Sequence, residues 1–373
     1  AFLSSMFHSL NFRDDRRSYF LDTSPQQRLK LSDTYRQFSD PLEPWPSGTR
    51  VAETTEYLFD CIASGDLNVN HHVLTISYLD YAGEIFENEQ ETGPQALQKL
   101  ADHINSAQAL LCVIDGHRIL QLLKNEPAGH NHFQFTMQTM IGMMQSASCP
   151  IHLVITKWDI VRGFGEPADA DEELRLGLVI DALMAFDHIR SLVYLRGAHQ
   201  ITRVIPVSAL GTSFVRIDTN GKMVKRNDGK VRPINVGVPL CAVLPDLFKQ
   251  IQSSLDEETR KNLDTEIHKG IRMRPHEIIS GVADFLKRPT GIIVSTALFA
   301  TIGRNLGNEA TAMFLDWAAQ PYQKKAAKIS AERRGAELQF ERFQQARAGV
   351  MEDFMKAVLR LEVLFPNSQL RRR

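Results

Sequence analysis

The sequence predicts an α/β protein with a mostly parallel sheet, one antiparallel edge hairpin, a β-meander insertion and a C-terminal helical region. Between about residues 50 and 250, short apolar runs alternate with longer segments of helical periodicity, as in strands joined by helical crossovers. The first two strand candidates are separated only by "SGDLNVN", which is too short for a helix, so we expect them to pair antiparallel. After about residue 256 only helical patterns remain, and in the last of them one predicted apolar face, at three- and four-residue steps, consists of Phe343, Val350, Phe354, Val358, Leu361 and Phe365.

The individual elements follow from these patterns in chain order. The predicted strands are "EYLFDCIA" (56–63), "VLTISYLD" (73–80), "ALLCVID" (109–115), "IHLVITK" (151–157) and "TRVIPVSA" (202–209). The predicted helices are 1–10, 93–106, 131–147 and 170–193. "SFVRIDTNGKMVKRNDGKVRPINV" contains an Asn-Gly and an Asp-Gly pair between alternating residues, which predicts the small β-meander. We therefore expect one domain over 1–252 and a helical region over 253–373.

Composition and charge bear on the partners of the protein, on its cellular compartment and on membrane contact. Hydrophobic residues make up 43% of the chain and charged residues 23%, and the formal net charge is -1, so the sequence indicates no nucleic-acid partner. The four scattered cysteines have no C-x-x-C spacing, which predicts reduced, buried thiols in a cytoplasmic protein. The apolar run "GIIVSTALFATIG" (291–303) is shorter than the ~20 residues that span a bilayer, which favours a buried helix over membrane contact.

One predicted strand ends in a possible magnesium and phosphate site. In open α/β sheets, ligands bind at the carboxyl ends of the strands. "YLDYAGE" places Asp80 at a strand end and Gly83 three residues later, so that a carboxylate can meet Mg²⁺ through water while a glycine amide approaches a phosphate. The alternative interpretation of this short pattern is a strand end followed by a turn.

A second strand ends in "ITKWD", with Lys157 and Asp159 directly after an apolar run. The carboxylate of Asp159 can accept two N–H donors from one edge of guanine, whereas adenine presents an acceptor at that edge. The stem of Lys157 can cover the ring, and Trp158 is then expected to pack into the core. A solvated loop with a salt bridge is the alternative for this motif alone.

A third strand ends in "VSALG", where Ser208 and Ala209 are small enough to let a backbone N–H point at a base carbonyl. In combination, D-x-x-G, T-K-x-D and S-A end three separate strands in that order. This succession resembles the P-loop GTPases of the Ras-like and translation-factor-related class, over residues 1 to about 250. The residues that the resemblance places at a guanine nucleotide, GTP or GDP, are Thr156, Lys157, Asp159, Ser208, Ala209 and Gly83.

The resemblance also implies magnesium ligands in a switch loop. Asp80 is expected to reach Mg²⁺, and "WPSGTRVAETTEY" is expected to be the first switch. Thr49 is the preferred threonine for contact with the ion, and Thr54 and Thr55 are its rivals, because this loop is longer than the usual pattern.

Gly83 and Glu84 are the residues that the resemblance implies at the catalytic position. Glu84 stands where Ras-like members place a glutamine that orients the attacking water. Because the triphosphate repels a carboxylate, hydrolysis is expected to be slow, to use another residue, or to need a cation from a partner.

The phosphate loop G-x-x-x-x-G-K-[ST] of this family does not occur in the 373 residues. "AFLSSMFHSLNF" resembles the helix that follows such a loop, so we expect a strand and a phosphate loop immediately before Ala1. "PINVGVPLCAVLPDLF" and the helical tail are similar to those of bacterial double-GTPase proteins. The resemblance thus implies a GTP-binding switch that engages a protein partner through its switch loops or its helical tail.

Two other functions remain open on the sequence alone. A non-catalytic scaffold would bind nucleotide without turnover and use the helical tail for assembly, and Glu84 favours this alternative. An ATPase of similar fold would show a nucleotide preference that does not depend on Asp159.

Overall fold

A computed structural model describes residues 1–46, 55–64, 70–80, 94–165, 171–196, 199–218, 222–254, 257, 261, 309–311, 313–315, 317–318 and 336–370. The strands are β1 (Tyr19–Asp22), β2 (Thr55–Ser64), β3 (Asn70–Asp80), β4 (Leu110–Asp115), β5 (Ile151–Thr156), β6 (Thr202–Pro206), β7 (Val215–Ile217), β8 (Met223–Lys225) and β9 (Gln369–Leu370). The helices are α1 (Phe2–Leu10), α2 (Pro25–Ser39), α3 (Pro94–Ser106), α4 (Gly116–Leu123), α5 (Pro127–Asn131), α6 (Met137–Met144), α7 (Trp158–Arg162), α8 (Glu172–Met184), α9 (Asp187–Leu195), α10 (Val238–Ser254) and α11 (Ala336–Leu364).

One sheet has the strand order β4-β5-β6-β9. Its first three strands are parallel, and the short β9 pairs antiparallel with β6. All residues of β6 are buried, and so are residues 151–155 of β5, as expected for parallel strands covered by helices on both faces. The predicted α/β class and mostly parallel sheet are therefore confirmed.

The second sheet is antiparallel and has the order β1-β2-β3. The predicted hairpin is confirmed, because β2 and β3 pair from Thr55 opposite Asp80 to Ser64 opposite Asn70. Its placement on the edge of the parallel sheet is wrong: the hairpin instead forms a separate hydrogen-bonded sheet with β1. Of the predicted meander the structure has one antiparallel pair, β7 with β8, which forms a separate two-stranded sheet.

The edges of β3 and β4 border a cavity of about 1640 Å³. Its lining includes residues 74–80 of β3 and residues 110–113 of β4 without a break, and residues of α1, α2, α3, α6 and α10 also contribute to it. Because successive side chains of a strand point to opposite faces, an unbroken run means that the cavity follows the edges of the two strands. Val113 and Leu79 accordingly remain 44% and 36% exposed.

The two longest predicted helices compare differently with the structure. The 131–147 segment is helical without a break from 131 to 144, through the end of α5, a π-helical turn at His132–Thr136 and α6. The 170–193 segment contains α8 and α9, which are separated where Phe186 has extended backbone angles. The helices predicted at 1–10 and 93–106 are α1 and α3.

Helix α11 packs against both sheets. Val350 and Phe354 belong to a core cluster with α1, α10 and the antiparallel sheet, and Val358, Leu361 and Phe365 belong to the cluster around the parallel sheet. These five of the six residues predicted on one apolar face are each at most 2% exposed, whereas the sixth, Phe343, is half-buried.

Other predictions from composition can be compared with the described residues. The four cysteines are free and buried, as predicted. The apolar run 291–303 lies outside the described residues. Of the helices that the structure does describe, none combines the length and the apolar character needed to cross a bilayer.

Candidate functional site

The candidate site lies where β5 and β6 end side by side. The parallel ladder continues past both strands, because Val207 N donates to Ile155 O (2.8 Å) and Trp158 N donates to Val207 O (3.0 Å). These two bonds hold the T-K-x-D segment next to the S-A segment. The sequence predicted that each motif ends a separate strand, and the structure shows that these two strands are neighbours.

Lys157 turns the chain from β5 into α7. Its φ of +52° is in the left-handed region, which few residues other than glycine adopt. The turn directs Trp158 inward, where it is fully buried in the core around the parallel sheet and donates from Nε1 to Glu172 Oε2 (3.1 Å). The prediction that Trp158 packs into the core is confirmed.

Asp159 is held by Ser208. The Ser208 hydroxyl donates to Asp159 Oδ1 at 2.5 Å and accepts the Gly211 amide at 2.8 Å. Gly211 has a φ of +77°, and a Cβ on it would lie 2.1 Å from Arg232 O, so the loop needs glycine here. Burial raises the pKa of Asp159, and the Ser208 hydrogen bond and the Lys157 charge oppose that rise.

Asp115 is a site residue that the sequence interpretation missed. It ends β4, and its Oδ2 lies 2.8 Å from Lys157 Nζ while its Oδ1 accepts the His117 amide at 2.9 Å. The available signal was an aspartate at the end of the predicted strand "ALLCVID", directly before glycine. A lone Asp-Gly pair is equally typical of a turn, so the sequence did not distinguish the two.

Asp80 and the start of α1 approach the same cavity. Asp80, Asp115, Lys157, Asp159 and Ser208 all contribute to its lining. Burial raises the pKa of Asp80. The hydroxyl of Ser5 in α1 donates to the carbonyl of Ala209 at 3.0 Å, so the first helix is joined to the S-A segment.

Of the remaining predicted site residues, the structure describes Thr156 and Thr55. Thr156 donates from Oγ1 to Ile114 O (3.0 Å) and so joins β5 to β4. Thr55, at the start of β2, lines the cavity. The predicted residues that lie outside the described part of the chain are Thr49, Thr54, Gly83 and Glu84.

The predicted magnesium ion needs oxygen ligands from the side chains that the structure describes. Within the described residues, no group of three or more His, Cys, Asp and Glu side chains could hold a metal. Magnesium in nucleotide sites is usually held by one or two carboxylates together with phosphate and water oxygens. Asp80 fits that kind of site, because its partly buried carboxylate borders the cavity.

The chain was compared with protein-family models, curated proteins and solved structures, and none of the three comparisons gave a match. The resemblance to P-loop GTPases therefore remains an expectation from the three sequence motifs.

Proposed function

We propose that this protein is a GTP-binding molecular switch that binds Mg-GTP and hydrolyses it slowly or with the help of a partner. One observation carries the proposal: Lys157, Asp159 and Ser208 converge at the carboxyl ends of two adjacent parallel strands, beside a large cavity. Ligands of open α/β sheets bind at this end.

Asp159 would select guanine. Its ionised carboxylate can accept hydrogen bonds from the ring N–H and the exocyclic amine of guanine, whereas adenine would leave it facing an acceptor. Ser208 already fixes one carboxylate oxygen, which reduces the freedom that binding must remove. The stem of Lys157 would cover the ring, and the small side chain of Ala209 would leave its backbone N–H accessible to the base carbonyl.

The phosphates would lie towards the end of β3. Asp80 would meet Mg²⁺ through water, and the bound ion would neutralise phosphate charge and orient the terminal phosphate. We further propose that the phosphate loop follows a strand seated between β3 and β4. The unbroken lining of the cavity by the edges of these two strands supports that placement.

Loss of the terminal phosphate would act on the loops that contact it. The segments expected to respond are the loop that contains Thr49 and the chain after Asp80, where Gly83 and Glu84 lie. A protein partner would bind these loops or the C-terminal helical region. Helix α11 is in contact with both core clusters and is therefore a route by which the change could be transmitted.

Nucleotide titration of the full-length protein tests the proposal. We expect GTP to bind about 100-fold more tightly than ATP in magnesium buffer, because adenine would leave the carboxylate of Asp159 unpaired. Asp159→Asn should remove most of this preference. Asp187→Asn is the control, because this side chain is 87% exposed and lies outside the cavity lining.

Phosphate release in the same samples separates the alternatives. Slow release from GTP supports a switch that hydrolyses nucleotide, and GTP that stays bound and intact supports a scaffold. An Asp159→Asn protein with unchanged preference would indicate an ATPase or another ligand. Failure to bind either nucleotide would contradict the proposed function.

A further inference from the structure

The ion pair between Lys157 and Asp115 crosses from the end of β5 to the end of β4. Nζ and Oδ2 are 2.8 Å apart, and the two side chains are 35% and 41% exposed. Both side chains border the cavity that also receives Asp159. The long lysine side chain is therefore fixed at its charged end while its stem stays at the edge of the cavity.

The backbone around this pair is closely constrained. Asp115 is the register partner of Thr156, and Thr156 Oγ1 donates to Ile114 O at 3.0 Å. A Cβ on Gly116 would lie 2.1 Å from Thr156 O, so the start of α4 approaches the end of β5 too closely for any other residue at 116. The distance between Asp115 and Lys157 is thus set by the sheet and by this contact.

We propose that Asp115 is the positioning residue for Lys157 and holds its stem in the conformation that covers the guanine ring. This inference rests on the proposed function. An unrestrained lysine has several rotatable bonds, and fixing it only when the ligand arrives would reduce affinity. The carboxylate of Asp115 removes that cost before binding.

Asp115 also has a structural role, which must be separated from the positioning role. Its Oδ1 caps α4 by accepting the His117 amide. Asparagine caps helices about as well as aspartate, so Asp115→Asn retains the cap and removes the charge that attracts Lys157. A partly exposed ion pair contributes little to stability, so the melting temperature of this variant should stay close to that of the starting protein.

Calorimetric titration of the full-length protein with GDP and with IDP in magnesium buffer provides the test. Hypoxanthine lacks the exocyclic amine that Asp159 would read but offers the same ring face to Lys157. Asp115→Asn should weaken both nucleotides equally, by about 3- to 10-fold, and leave the GDP/IDP ratio unchanged. Asp159→Asn should instead reduce that ratio.

A double-mutant cycle with Lys157→Met isolates the contact, because methionine keeps an apolar stem but no charge. The effect of Asp115→Asn should disappear in the Lys157→Met background. Asp171→Ala is the matched control for loss of a cap, since Asp171 caps α8 by accepting the Glu173 amide at 3.0 Å. It should leave GDP affinity unchanged.

Three results would overturn the inference while the starting protein still binds GDP. These are unchanged affinity in Asp115→Asn, an undiminished effect in the Lys157→Met background, and an altered GDP/IDP ratio in Asp115→Asn. If the starting protein binds neither nucleotide, the proposed function itself fails, so the two failures are distinguishable.

Discussion

Asp246 connects the parallel sheet to two helices through buried charges. Its carboxylate lies on α10 and is fully buried. It accepts hydrogen bonds from Nε and Nη2 of Arg203, each at 2.7 Å, and its Oδ2 lies 3.0 Å from His152 Nε2. Arg203 also reaches Glu362 of α11 at 3.0 Å. The cluster therefore joins β5, β6, α10 and α11 at a single point.

Asp246→Asn is expected to lower the free energy of unfolding by about 3–5 kcal/mol at pH 7, because it leaves the buried Arg203 with a weaker partner. Urea denaturation monitored by circular dichroism measures this loss. Asp228→Asn is the control, since its ion pair with Arg226 is exposed and its removal should leave the unfolding midpoint unchanged. An equal response of the two variants would contradict this role of the cluster.

The same carboxylate should make stability depend on pH. Burial alone would raise the pKa of Asp246, but the hydrogen bonds from Arg203 and His152 outweigh it and hold the pKa well below its usual range. A lowered folded-state pKa stabilises the protein above the unfolded value of about 4, and this contribution is lost as the pH falls further. The unfolding free energy of Asp246→Asn should accordingly fall less steeply than that of the starting protein below about pH 4.

Sequence reasoning identified those residues whose chemistry is local. Lys157 and Asp159 were recognisable because charges at the end of an apolar strand are unusual, and the structure places them beside Ser208. Asp115 and Asp246 were missed because the contacts that distinguish them, with Lys157 and Arg203, span 42 and 43 residues of chain and belong to no sequence motif. Only the packed sheet and helices bring such pairs together.

At the scale of elements, periodicity was reliable where an element buries a regular face. The apolar face of α11 was predicted from spacing, whereas α2 was missed because only Leu31 and Phe38 of its fifteen residues are buried. The start signal of α2 was present, since Ser24 caps the helix and Pro25 is its first residue. The four-residue β1 is too short to show a reliable alternation.

We expect helix α11 to stabilise the protein by packing against the antiparallel sheet. Phe354 is fully buried and packs edge-on against Tyr19 of β1, with ring centroids 5.1 Å apart. Phe354→Ala should lower the free energy of unfolding by about 3–5 kcal/mol, because it removes buried apolar surface and leaves a cavity. Chemical denaturation provides the measurement, and Leu359→Ala, at a side chain that is 53% exposed, is the matched control on the same helix. Similar destabilisation by both variants would argue against this packing role.

At the scale of the whole molecule, two sheets approach each other without sharing hydrogen bonds between the described residues of β3 and β4. The sequence predicted a single sheet because the alternation of strands and helices carries no information on strand order. The hairpin was assigned correctly because its short connection allows only antiparallel pairing. A cavity lined by the edges of β3 and β4 lies between the hairpin and the parallel sheet.

A strand seated in that cavity would join the two sheets into one. Its backbone would pair with the edges of β3 and β4 that have no partner among the described strands, and its side chains would cover exposed apolar residues such as Leu79 and Val113. If a segment preceding Ala1 supplied this strand, a protein that includes that segment would be more stable than the 373-residue chain.

Hydrogen exchange followed by mass spectrometry tests this expectation by comparing the two proteins. Amides of β3 and β4 that point into the cavity should exchange on the order of 100-fold more slowly in the longer protein, because pairing protects them until the sheet opens. Amides of β6 provide the internal reference, since this strand is already paired with β5 and β9. Equal exchange of β3 and β4 in both proteins would show that the preceding segment does not fill the cavity, and the phosphate loop would then have to approach the nucleotide from elsewhere.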